Sequence, residues 1–246
     1  MMKHSQEGKY KTDNRPACFG GNEQEEINAA RKVTETLNIP FHVIDLTKEY
    51  EEIVLNFFRS EYLAGRTPNP CIKCNQQLKF QLLIEKSKLL QDFDFFATGH
   101  YARIIEKDGE CCLAEAINLK KDQSYGLSFL KKKWLEFIVL PLGPFTKEQV
   151  YELAKNEGFP LFLKRKQSQD LCFVSKKALP IFIQKNVGEK PGEIINEDEK
   201  VLGNHRGLHF YTIGQKRRLF LNGEYYVKGF NNEKNQLIVT LNVNDI

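Results

Sequence analysis

Between residues 23 and 158 the sequence alternates helical periodicity with short, uniformly apolar runs, and after about residue 187 that alternation stops. Helices interleaved with strands that are apolar on both faces can bury themselves only as layers, with helices covering a parallel sheet. Ile27, Ala30, Val33, Thr34 and Leu37 fall near one face of a helix over 23–37. "PFHVIDL" (40–46) reads as a buried strand. Tyr50, Ile53, Val54, Phe57, Phe58 and Tyr62 then return to helical spacing, with Gly65 as a stop. A further helix is expected from about Asn75 to Leu90, followed by a strand in "FDFFATGHY". Ligands of such sheets bind beyond the carboxyl ends of the strands, which is where Thr98-Gly99-His100-Tyr101 would sit.

The middle of the chain reads as helical. Thr146 with Gln149 forms a capping-box pattern ahead of Val150, Leu153 and Ala154, and Gly158 closes that helix. Beyond residue 187, "GEIINEDEKVLG", "LHFYTIG" and "GEYYVKGFNNEKNQLIVTL" are β-rich runs joined by Gly, Asn and Asp turns, which predicts a small antiparallel sheet or barrel. Three regions result: an α/β layer over 1–115, a helical centre over 116–186 and a β-rich domain over 187–246. The centre is also basic. It holds 13 Lys and Arg against 6 Asp and Glu, while the rest of the chain is mildly acidic, so a polyanion is a natural partner.

Chemistry concentrates in "TPNPCIKCN" (67–75). No apolar run approaches the ~20 residues of a membrane helix, and the polar start lacks a signal-peptide core. A reducing, cytoplasmic setting is therefore expected, where cysteines serve catalysis or metal binding rather than structural disulfides. Of the six cysteines only Cys71 and Cys74 form a C-x-x-C. Four uses stay open for them: a redox pair, half of a zinc site, a nucleophile at a helix start, or no chemistry. Pro68 and Pro70 discourage helix before Cys71, so the helix is expected to begin around Cys74 or Asn75. Cys74 would then feel the positive end of the dipole that favours a thiolate. Cys172, in "KRKQSQDLCFVS", is the candidate partner. Cys111-Cys112 reads as part of a hairpin strand with a structural role, and Cys18 has no supporting neighbours.

Seven stretches, "NIPFHVIDL", "EYLAGRTPNPCIKCNQQLKF", "ATGHYARI", "KDQSYGLSFL", "SQDLCFV", "KPGEI" and "GLHFYTIGQKRRL", together resemble one family, the tRNA-specific 2-thiouridylases. The resemblance implies an adenine-nucleotide α-hydrolase-like (PP-loop) sheet. It also implies ATP, with Mg2+, as cofactor, no tightly bound metal, and a tRNA sulfurtransferase activity. In that chemistry ATP activates the C2 oxygen of the wobble uridine, and sulfur arrives as a cysteine persulfide from a carrier protein. By the same resemblance Cys74 is the nucleophile and Cys172 carries the persulfide, the two closing to a disulfide as sulfur is released. Asn69, Pro70 and position 71 are implied beside the target base, and His100, Lys121, Asp122 and Gln123 as tRNA contacts. Gly99 is implied as a nucleotide contact, and Met2 as its adenine-side neighbour.

Several positions depart from the family pattern. Cys71 stands where many members carry Asp, Gly126 where an aromatic is common, and "GQKRRL" replaces G-Q-R-x-G-L. The ATP loop S-G-G-x-D-S has no counterpart, "CFGGNEQEE" being the nearest stretch. The expectation is therefore a fragment or a shortened gene model that begins after the first βα unit and stops inside the β domain. Two competing readings accompany the enzyme: a non-catalytic tRNA-binding remnant, and a zinc-stabilised interaction protein built on Cys71 and Cys74.

Overall fold

The computed structural model describes residues 2–3, 23–64, 66–159 and 179–245. In chain order the elements begin β1 (Met2–Lys3), α1 (Glu23–Thr36), β2 (Ile44–Asp45), α2 (Thr47–Tyr50), α3 (Asn56–Leu63), α4 (Pro70–Lys73) and α5 (Leu83–Lys88). They continue β3 (Phe96–Ala97), β4 (Arg103–Lys107), β5 (Glu110–Ala114), α6 (Ser124–Leu127), α7 (Lys132–Leu135), β6 (Ile138–Val139) and α8 (Lys147–Asn156). The last are α9 (Leu179–Val187), β7 (Gly192–Ile195), β8 (Val201–His205), β9 (Tyr226–Asn231) and β10 (Gln236–Thr240). Two compact units emerge: one draws on 1–55 and 69–175, the other on 56–68 and 176–246. The segment 116–159 lies within the first.

In the first unit the strand pairs β1–β2 and β3–β6 are parallel, as the helix–strand alternation predicts, but each registers only two residues. The apolar run 40–46 pairs only at Ile44–Asp45; Pro40 has no N–H to give a ladder, and Ile39 and Val43 are exposed. One core cluster joins Leu46, Tyr50 and Val54 to Cys74 and Leu78. A second gathers Phe80, Ile84, Ala102, Leu127, Ile138 and Leu140, with Phe93, Phe96 and Trp134 packed against it. Full burial of a large apolar side chain such as Phe80 stabilises by roughly 1.5–3 kcal/mol.

Winding between α4 and α5 is looser than α-helical. Residues Cys74–Leu82 form a π-helix, and Glu51–Leu55 after α2 form a shorter one. β4 and β5 make the expected hairpin around Cys111 and Cys112, register Ile105 with Cys112, and turn at Asp108 and Gly109. Both turn residues have positive φ, 52° and 76°, the two-residue geometry that suits strand twist. α8 carries the predicted capping box. The Thr146 hydroxyl accepts from the Gln149 backbone N–H, and the Gln149 side-chain oxygen Oε1 accepts from the Thr146 N–H at 2.8 Å. Gly158, at φ 79°, ends that helix as expected.

The second unit is a four-stranded sheet in the order β8-β7-β10-β9. Its outer ladders are antiparallel, while the central one, β7 with β10, is parallel, a pairing that strand patterning does not specify. Ile194, Leu208, Val227, Leu237 and Val239 fill its core. In the same unit Phe58 of α3 meets Phe182 of α9 edge to face at 5.6 Å, and Arg59 donates to Asn186 at 3.1 Å. His205 and His209 are both bonded through Nε2 to main-chain carbonyls, of Asn235 and Gly188. Burial pushes both imidazoles below their ordinary range.

Candidate active site

The helix bearing the C-x-x-C starts earlier than its prolines suggest. Pro70 occupies the first helical position, where its missing N–H would have had no partner anyway. The Asn69 side chain caps the turn by accepting from the Cys71 N–H at 3.1 Å. Cys71, half-buried, is thus the thiol in the first turn. Cys74 lies one turn further along and is only 4 % exposed. The helix-start field expected at Cys74 falls instead on Cys71. Cβ atoms three residues apart on a helix sit about 5–6 Å apart, beyond the roughly 3.5–4.5 Å a disulfide spans. Among the described residues both are unbridged thiols, Cys71 half-buried and Cys74 buried.

Next to Cys74, Asn75 is 5 % exposed and donates through Nδ2 to the Gly126 carbonyl at 2.9 Å. This bond ties the C-x-x-C helix to α6, which packs against α4. A Cβ at 126 would meet the Asn75 amide nitrogen at 3.4 Å, about an ordinary contact, so nothing here explains the missing aromatic. Gln123 makes a second tie. Its side-chain carbonyl accepts from the Tyr101 N–H at 2.9 Å, and its own N–H donates to the Tyr101 carbonyl at 2.8 Å. Asp122 closes the loop before it, accepting from the Ala116 N–H at 2.7 Å and from both the N–H and the hydroxyl of Ser124. Stretches far apart in the chain, "NPCIKCN", "TGHY" and "KDQSYG", are thereby held side by side.

His100 belongs to the second of these stretches. Its Nδ1 is 2.8 Å from the Thr98 hydroxyl, and its ring is 5.7 Å from that of Phe80. Burial, and secondarily the Lys79 ammonium, push its pKa down to about 3. The imidazole is therefore neutral at physiological pH and acts as a hydrogen-bonding group rather than a cation.

Residues 1–176 match the family model described as the tRNA methyl transferase HUP domain, and residues 181–241 match its PRC-barrel domain. The chain belongs to this family. Among its relatives, a tRNA-specific 2-thiouridylase MnmA from Carboxydothermus hydrogenoformans is 41 % identical over 219 residues, covering 87 % of this chain and 60 % of that protein. One from Chloroflexus aurantiacus is 40 % identical over 220 residues, 87 % of this chain and 61 % of that protein. A tRNA-specific 2-thiouridylase MnmA 2 from Clostridium botulinum strain Hall is 38 % identical over 214 residues, 85 % of this chain and 60 % of that protein. The chain thus spans about 60 % of the length of the curated relatives it matches. The family read from the sequence motifs, and the HUP layer followed by a β domain, are borne out.

Against the family's site, Asn69, Pro70, Cys71, Cys74, Gly99, His100, Lys121, Asp122 and Gln123 all lie in the first unit. Cys172, Cys18 and the basic cluster 164–166 lie outside the described residues, and Met2 is described only as backbone. The side chains of Asp122 and Gln123 are engaged with neighbouring main chain. Sequence reading missed Asn75 and Thr98, whose partners are visible only once the chain is folded. The phosphates of ATP do not fit the residues described. Among the described residues, the helix after β1 begins with Glu23, Glu25 and Glu26, whose three carboxylates repel an anion. Gly99 is exposed, and a Cβ there would make only an ordinary contact with Leu142 at 3.6 Å.

Proposed function

We propose that this chain serves the 2-thiolation of tRNA, passing persulfide sulfur to C2 of the wobble uridine. The observation that supports it is the joining of three family motifs around Cys74 by the Asn75–Gly126 and Gln123–Tyr101 bonds. In this reading Cys172 receives a terminal sulfur from a persulfide carrier protein. The Cys74 thiolate attacks the inner sulfur of that persulfide, forming a Cys74–Cys172 disulfide and releasing hydrosulfide, so that atoms and electrons balance. Asn69, Pro70 and Cys71 line the base, with neutral His100 beside them as a donor or acceptor. Lys121 faces phosphate, while Asp122 and Gln123 contribute by holding that segment in place. ATP, with Mg2+, is expected from the family resemblance as the activator of the C2 oxygen, and Gly99 and Met2 are its expected neighbours. No activating step is assigned to residues of this chain. A cytoplasmic location belongs to the same proposal; among the described residues no helix is long and apolar enough to cross a membrane.

The test is the partial reaction that needs only these cysteines. The purified chain is loaded from a protein persulfide carrying labelled sulfur, and its cysteines are mapped by mass spectrometry. Label on Cys172, followed by hydrosulfide release and a Cys74–Cys172 disulfide, is expected. Cys74→Ser should keep the label on Cys172. Discharge at the wild-type rate in Cys74→Ser, or no loading of Cys172 by a chain that still binds tRNA, overturns the proposal in favour of a binding role alone.

A further inference from the structure

One surface beside the site is used by nothing described so far. α6 buries Leu127, which is 1 % exposed, yet leaves Tyr125 69 % and Phe129 61 % exposed. The Tyr125 carbonyl accepts from both the N–H and the hydroxyl of Ser128, which carries the helical turn past Leu127. Tyr125 lies in α6 and Phe129 two positions past its end, so both exposed rings belong to one short stretch. Around them the chain is strongly cationic: Lys120, Lys131, Lys132 and Lys133 are exposed and Lys121 is half-exposed. The nearby carboxylates are partly engaged, Asp122 with main chain and Glu110 with Lys132. Exposed aromatic rings interleaved with lysines form the pattern that holds unpaired nucleotides, bases on the rings and phosphates on the ammonium groups. The patch is also well placed, because α6 packs on α4, where the target base is proposed to sit.

We infer that Tyr125 stacks on an unpaired base of the anticodon loop, with Phe129 and the flanking lysines continuing the RNA-binding surface. This rests on the tRNA reading above and adds the positioning residue for that substrate. The ring needs no charge and no hydroxyl to do this, so phenylalanine should serve as well as tyrosine.

The experiment measures binding of an anticodon stem-loop RNA to the purified chain across a salt series, for the wild type, Tyr125→Ala, Tyr125→Phe and Lys120→Gln. Tyr125→Ala should weaken binding about 5- to 100-fold, the range for loss of one stacked base, without changing the salt slope. Tyr125→Phe should stay within about twofold, and Lys120→Gln should lower the slope by about one phosphate contact. Replacing the stacked nucleotide by an abasic one should weaken the wild type as much as Tyr125→Ala does and leave that variant unaffected. Tyr125 is exposed, so thermal unfolding of its variants should match the wild type. Unchanged affinity in Tyr125→Ala, or equal loss in Tyr125→Phe, overturns the stacking role alone. Absence of RNA binding by the wild type overturns the tRNA reading with it.

Discussion

In the second unit β7, β8, β9 and β10 pair along three to five residues each, whereas in the first unit β1–β2 and β3–β6 register two apiece. The second unit is thus held by longer main-chain ladders, two of them with a register shift, over one core, Ile194 to Val239. Apart from its β4–β5 hairpin, the first divides its apolar residues between two clusters and joins distant segments through the side chains of Asn75 and Gln123, with Asp122 closing a local loop. A ladder distributes stability over many interchangeable bonds; a tie concentrates it in one residue. The candidate site lies in the unit built from ties.

The largest effects should come from the cores and be alike in both units. Phe80→Ala removes a fully buried ring that meets Phe96 edge to face, and should cost about 3–5 kcal/mol in denaturant unfolding. Leu237→Ala should cost about 2–5 kcal/mol in the second. Equal loss from both with no further contrast between the units would erase the distinction drawn here.

Ties should then separate them. Asp122→Ala strands the Ala116 and Ser124 donors and should destabilise by about 2 kcal/mol or more. Asp122→Asn keeps one acceptor and should cost less. Amide exchange at Ala116 and Ser124 reports the difference directly, and unchanged protection would mean that the carboxylate is not the clasp. Acid provides a third probe. Because the His100 pKa is depressed to about 3, its contribution is complete above pH 6.5. It declines as pH falls from 6.5 towards 3, as the unfolded chain takes up a proton that the folded one refuses. Denaturation midpoints of His100→Phe should fall less steeply across that window than those of the wild type. A smaller drop of the same sign is expected from His205. The smallest effect should be Thr146→Ala, about 1 kcal/mol by thermal unfolding, because it removes one cap and leaves the core of the unit alone.

What could be read from the sequence followed the reach of each interaction. The Thr146–Gln149 box, the Gly158 stop, the hairpin around Cys111 and Cys112 and the β texture after 187 all depend on residues a few positions apart, and all are present. The start of the Cys74 helix was misread because Pro70 is a block inside a helix but an asset at its first position. Asp122 and Gln123 could not be seen as ties. Their partners include Ala116 and Tyr101, and any surface turn with those residue types reads equally as a ligand contact. Cys74 was singled out as a nucleophile by family resemblance alone, and its burial was not legible. The exposure of Tyr125 beside buried Leu127 emerges only from the fold.

The two bonds between Gln123 and Tyr101 have a consequence for how this protein can change over time. They clamp the root of the β4–β5 excursion, whose base packs with Phe80 while its tip reaches away from that core. The tip at Asp108-Gly109 can gain or lose residues, or accept an appended peptide, while the Tyr101–Gln123 clamp keeps its shape. Natural variation in chain length should accumulate at that tip, and a label or affinity handle placed there should leave the chemistry undisturbed.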